Sequence, residues 1–214
     1  MIRKLLALVA IAGALMTPMA SQAGLTVLTT ADGWPPLGSK GLEGVQFTTD
    51  SAGGVKVAMG AHPYISGVTM PNDGVRTYYG ESGLSNPTRA NWSFDLVYDI
   101  SVCNGCKVFL GVDIDPTASV QYVDLDLLAG GAPATRYAES LNMEMAFLNT
   151  MLGYDVNPFV TTATDFRLHV RDATGARLAS TDIIVAVNVP EPASLALVGV
   201  AIAGLAAAGR RRKA

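Results

Sequence analysis

Trp92-Ser93-Phe94-Asp95-Leu96-Val97-Tyr98-Asp99-Ile100-Ser101-Val102 alternates apolar and polar residues, with one lapse at Val97. A period of two is the mark of a strand that rests one face on a core. Lys107-Val108-Phe109-Leu110-Gly111-Val112-Asp113-Ile114 alternates in the same way, with Cys103-Asn104-Gly105-Cys106 between the two runs. The pair predicts an antiparallel hairpin, and side-chain faces set its register. A two-residue Asn-Gly turn would place Ile100 opposite Phe109 but Leu96 opposite Asp113. Shifting by one pairs Val102 with Val108, Ile100 with Leu110, Tyr98 with Val112 and Leu96 with Ile114, so all the apolar residues share one side. The loop is then Asn104 to Cys106, with Gly105 or a neighbour at positive φ.

The rest of the body follows the same rhythm. Ser119 to Leu127 alternates less cleanly, whereas Asp165 to Arg171 alternates strictly. The latter leads through Asp172-Ala173-Thr174-Gly175 into Ala176 to Val187. Val45–Thr49, Val55–Met59 and Val75–Tyr79 are shorter strand candidates separated by Gly, Pro and Asn. Ala138 to Leu152 fits both periods: Leu141, Met145, Leu148 and Leu152 at helical spacing, Leu141, Met143, Met145 and Phe147 at strand spacing. Many short strands with Gly/Pro turns predict an all-β, antiparallel β-sandwich, jelly-roll-like or immunoglobulin-like.

The two ends of the chain differ from this body. Met1 to Ala23 has a basic start (Arg3, Lys4), an apolar centre from Leu5 to Met16 and small residues before Gly24, which predicts a signal peptide cut between Ala23 and Gly24. At the other end stand Val189-Pro190-Glu191-Pro192, the uncharged run Ala193–Gly209, and Arg210-Arg211-Arg212-Lys213. The prolines hold the backbone extended, so a helix starts only after Pro192. A helix over 193–209 would be about 25 Å long, slightly under a hydrocarbon core of about 30 Å. It is rich in Ala and Gly, and the four cations after it act as a cytoplasmic stop. The expected layout is a signal peptide (1–23), an exported domain (24–188) and a C-terminal signal (189–214) with a transmembrane helix at 193–209 and a basic tail at 210–213.

Pro190-Glu191-Pro192, the weak span and the basic cluster, in that order at the C-terminus, resemble the PEP-CTERM sorting signal of Gram-negative bacteria. The resemblance implies that an exosortase, a membrane-embedded transpeptidase-like enzyme, reads the tripeptide and removes the tail. It also implies a precursor tethered to the inner membrane with its domain in the periplasm, then a cell-surface or extracellular-matrix location among exopolysaccharide and biofilm material. Exosortase, signal peptidase, the inner membrane and exopolysaccharide are the expected partners. A permanent C-terminal anchor is the plainer alternative.

Between the two ends, nine Lys and Arg face seventeen Asp and Glu. That acidic balance argues against nucleic acid, which needs basic clusters, and against binding anionic lipid by charge alone. In an exported chain, Cys103 and Cys106 read as a disulfide that locks a loop rather than a redox pair, and no metal site is expected there. Asp113, Asp115, Asp124 and Asp126 project as i, i+2 pairs that would suit calcium, or serve as the two acids of a glycosidase; a solvated strand face is the simpler reading. His169, between Arg167 and Arg171, reads as solvated surface, and His62 as a loop residue without a nucleophile motif. Trp34, Tyr64, Tyr78, Tyr79 and Trp92 could stack on sugar rings or pack in the core. The expected function is therefore non-enzymatic, without cofactor. The alternatives are a carbohydrate- or calcium-dependent adhesion module and, behind it, a secreted polysaccharide hydrolase.

Overall fold

The computed structural model describes residues 24–37, 41–64, 69–115, 119–153, 159 and 162–187. The expected signal peptide through Ala23, the motif Pro190–Pro192, the span 193–209 and the basic residues Arg210–Lys213 lie outside them. No helix among the described residues is long and apolar enough to cross a membrane.

Twelve strands, one α-helix and a short 3-10 turn (Thr30–Asp32) are found among the described residues: β1 (Thr26–Val27), β2 (Gln46–Ala52), β3 (Val55–Pro63), β4 (Thr77–Gly80), β5 (Leu84–Asn86), β6 (Arg89–Ala90), β7 (Trp92–Asp99), β8 (Lys107–Asp113), β9 (Tyr122–Asp126), β10 (Arg136–Leu141), α1 (Ala146–Leu152), β11 (Ala163–Arg171) and β12 (Arg177–Val187). One sheet runs β1-β2-β3-β7-β10 and the other β4-β12-β11-β8-β9, with β5-β6 as a small ribbon. The pairings within the two large sheets are antiparallel except β4 with β12. The all-β, antiparallel reading is thus borne out.

The two sheets share one core. Phe94, Leu96 and Tyr98 of β7 meet Val108, Leu110 and Val112 of β8 and Phe166, Leu168 and Val170 of β11. Phe166 joins the sheets most directly, stacked on Phe94 at 4.4 Å and edge-on to Trp92 at 6.1 Å.

β7 and β8 do not form the expected hairpin. β7 is hydrogen-bonded by β3 on one edge and β10 on the other, so no edge remains for β8. β8 belongs to the second sheet, between β9 and β11. The chain arches from one sheet to the other, and both apolar faces point into the same gap. The Cys103–Cys106 disulfide closes the arch, and Gly105 takes φ 75° within it, as its turn requires.

β7 is also buried on its second face. Val97 packs there with Ala58, Ala138 and Phe47 beneath Leu28, Leu37 and Leu42 of the N-terminal segment, forming a second, smaller core. Asp95 and Ser93 on that face are therefore buried, although their alternation suggested a wet side.

β11 and β12 do form the expected hairpin. Asp172 Oδ1 accepts from the N–H groups of Thr174 and Ala176 and holds the turn. The early part of β12 has no β4 beside it, and β2 covers it instead. Thr48 Oγ1 accepts from Thr181 Oγ1 (2.8 Å) and donates to the Asp182 carbonyl (3.1 Å), and the Asp50 carboxylate accepts the Ser180 N–H (2.8 Å), so two backbone groups on this edge are satisfied by side chains of β2. The ambiguous stretch 138–152 divides. Its first part continues β10, Asn142 stops it, and α1 follows with Leu148 and Leu152 inward. Asn142 is fully buried. It accepts the Ala90 N–H and donates to the carbonyls of Ala90 and Trp92, pinning the entry of β7 to the end of β10.

Candidate functional site

Three constellations carry chemistry-bearing side chains. The first is His62 with Asp95. β3 and β7 are neighbours, and the register that sets Ala61 against Phe94 brings His62 and Asp95 onto the same outer face. His62 Nδ1 lies 2.8 Å from Asp95 Oδ2, with the histidine side chain 12% exposed and the aspartate 0%. Asp95 Oδ1 has no hydrogen-bond partner among the described residues. Burial drives the Asp95 carboxyl above the usual carboxylate range, and His62 with Ser140 only partly offsets this. Burial pulls His62 down, and the hydrogen bond and charge of Asp95 more than reverse it, so His62 ends above 6.5. The sequence gives no sign of this pair, because the residues are 33 positions apart and neither lies in a motif.

The second constellation is the outer face of the other sheet. Asp126, Phe109 and His169 lie in one row across β9, β8 and β11, and Asp124, Gly111 and Arg167 in the next. Gly111 makes room: a Cβ there would come within 2.7 Å of Asp124 Oδ1 and 3.1 Å of the Tyr122 ring. Arg167 lies over Tyr122, 4.0 Å from its centroid, and donates to Asp124 at 3.1 Å.

His169, expected at the surface, is 0% exposed. Its ring stacks on Phe109 at 5.2 Å, and Arg171 Nε donates to its Nε2. Large neighbours on a flat sheet face cover it, which alternation along one strand cannot reveal. Burial lowers its pKa to about 4; Asp124 opposes this, while Arg167, Arg177 and Arg171 add to it. The imidazole is neutral at pH 7.

The carboxylates proposed for calcium are distributed over this face. Asp113 Oδ1 accepts the N–H groups of Asp115 and Gln121. Asp124 holds Arg167, and Asp126 pairs with Lys107 at 3.6 Å while capping Leu128 and Ala129. No group of three or more His, Cys, Asp or Glu side chains comes together as a metal site among the described residues.

The third constellation is a groove of about 480 Å³ bordered by Pro63, Met70, Pro71, Tyr79, Glu81 and Trp92. It takes in two of the five aromatics singled out above. Tyr79 is half-buried, and Trp92 is core with one edge towards the groove. Tyr78 is buried and donates to the Gln46 carbonyl, and Trp34 lies under Lys56 on the far sheet. The five do not form one platform.

β12 ends at Val187 with its N–H bonded to the Thr162 carbonyl, so the last described strand stops immediately before the C-terminal segment. No curated protein and no solved structure matches the chain. Residues 188–213 match the model of the PEP-CTERM protein-sorting motif. The chain therefore carries a PEP-CTERM protein-sorting motif directly behind its last described strand, and that motif implies an exported protein with an exosortase as its processing partner.

Proposed function

We propose that this is a non-enzymatic cell-surface or matrix protein whose sandwich is delivered by its C-terminal signal. Signal peptidase releases it at Ala23–Gly24, and a helix over 193–209 then holds it at the inner membrane. Exosortase cuts at Pro190–Pro192, and the domain passes to the surface or to exopolysaccharide of the biofilm matrix. The observation that carries this is the junction: the matched segment begins at residue 188, one position after β12 ends. Cutting at the tripeptide therefore leaves every described strand intact.

The sandwich reads best as immunoglobulin-like. β7 pairs β10 in one sheet, β8 and the β11–β12 hairpin form the other, and β4 runs parallel to the last strand. The polar groups that a hydrolase would use are engaged in structure: His169 stacks beneath arginines, and Asp124 and Asp126 are held by Arg167 and Lys107.

Replacing Pro190, Glu191 and Pro192 together by alanine tests this reading. The substituted chain is expected to accumulate in the inner-membrane fraction while the parent leaves it. Equal distribution of the two would count against recognition of the tripeptide.

The groove beside Tyr79 favours a second reading, a carbohydrate-binding adhesion module held by a permanent anchor. An aromatic face with Glu81 nearby suits a sugar ring. Glycan-array binding that Tyr79→Ala reduces tenfold or more would support it. Silence on the array, with and without Ca²⁺, would remove it.

A further inference from the structure

Among the described residues, large apolar side chains are exposed at Val27, Val102, Val120, Phe147, Met151 and Phe159. The last four are 43% to 65% exposed, and topology brings them to one end of the sandwich. Val120 lies in the connection after β8, beyond the Asp113–Tyr122 pair. Phe147 and Met151 sit one turn apart on the exposed side of α1, adjoining the face that buries Leu148 and Leu152. The Phe159 ring lies beside Gly83, in the connection after β4. β4 ends at Gly80, paired with Val187 at the end of β12. The apolar end is therefore the end from which the chain leaves for its C-terminal segment.

That exit argues for what covers the patch. Residues 188–192 separate Val187 from the uncharged run 193–209. Fully extended, they reach at most about 20 Å. A domain tethered so closely meets the bilayer at a high effective concentration, so a contact too weak to bind from solution becomes populated. The excess of acidic residues rules out attraction by charge and leaves shallow insertion of apolar side chains, the mode in which aromatic and aliphatic groups settle at the headgroup–acyl boundary.

We propose that Phe147, Met151, Phe159 and Val120 form a foot that rests in the lipid surface while the C-terminal segment is in place. This rests on the membrane tether of the preceding section. The foot holds the motif at headgroup depth, where a membrane enzyme can reach it. The contact is weak without the tether, so cutting the tether frees the domain.

Depth-dependent quenching tests it on the full-length chain, reconstituted in phosphatidylcholine vesicles with brominated acyl chains. The native cysteines are disulfide-bonded, so a fluorophore can be placed on Met151→Cys or, at the opposite end in the Asp172–Gly175 turn, on Thr174→Cys. Both chains are expected to float with the vesicles. The label at 151 should be quenched at least twofold and the label at 174 left unchanged. Adding Phe147→Ser to the Met151→Cys chain should reduce the quench without affecting flotation. Flotation with equal fluorescence at 151 and 174 would overturn the foot and leave the tether standing. Cross-linking of 151 to 151 between copies in detergent would also overturn it, by assigning the patch to a second copy. A chain that fails to float removes tether and foot together.

Discussion

Phe166→Ala is expected to destabilise the domain by about 3–5 kcal/mol, the range for removing a buried phenylalanine ring. Phe166 is fully buried and contacts both Phe94 and Trp92 of the opposite sheet. Its removal therefore empties the gap between the sheets instead of trimming an edge. In a domain of this size, 1 kcal/mol corresponds to about 2–4 °C in Tm, so a fall on the order of 10 °C is expected in thermal unfolding followed by near-UV circular dichroism. Phe166→Leu should recover most of it. A loss below about 1 kcal/mol would mean that the sheets do not meet at this residue.

His62→Ala should cost a similar amount, about 3–5 kcal/mol, for a different reason. It strips Asp95 Oδ2 of its hydrogen bond and leaves a carboxylate with 0% exposure and an already unpartnered Oδ1. Breaking one side of a buried pair is costlier than removing both. Adding Asp95→Asn to His62→Ala should therefore restore part of the loss, a non-additivity that a double-mutant cycle reads directly.

The pair also sets a pH signature. The folded-state pKa of His62 lies above 6.5, so its stabilising contribution is complete below that value and fades as pH rises through the raised pKa. Asp95 is also raised, and its contribution likewise falls with rising pH. His169, held down to about 4, adds stability that rises with pH until its ordinary value of 6.5 is passed, so the pair is read as a difference between two chains. In urea titrations from pH 6 upward, the stability gap between the parent and the His62→Ala/Asp95→Asn double variant should narrow as pH rises. A gap that widens over that range would contradict the geometry of the pair.

How far the sequence could be read depended on which neighbours decide each residue's environment. The pairing of Asp165–Arg171 with Ala176–Val187 was legible because the partner strand is the next one along, joined by the turn from Asp172 to Gly175, whose chemistry is local. The inward faces of 92–100 and 108–112 were legible as well, whereas Val102, expected on the same face, is exposed beyond the end of β7. Their mutual placement was not, since two apolar faces can share one sheet or look at each other across two, and alternation is identical in both cases. Only the occupation of both β7 edges, by strands lying before and after it in the chain, decides between them.

The same limit explains His169 and Asp95. Their polar phases are correct, but His169 is covered by Phe109 of the neighbouring strand and Asp95 is met by His62 of β3, both distant in sequence. The split at Asn142 was hidden because the stretch satisfies both periods until the asparagine turns back to Ala90 and Trp92. The C-terminal signal, in contrast, is written in contiguous residues, and its match at 188–213 needed no fold at all.

The most direct test of the account is the intact mass of the mature protein, taken from cells with and without the exosortase. With the enzyme, the mass should correspond to a chain that begins at Gly24, retains the Cys103–Cys106 disulfide and ends within Pro190–Pro192. Without it, the same chain should run on to Ala214. A mass that includes the residues beyond Pro192 in both cell types would contradict processing and leave the segment as a permanent anchor.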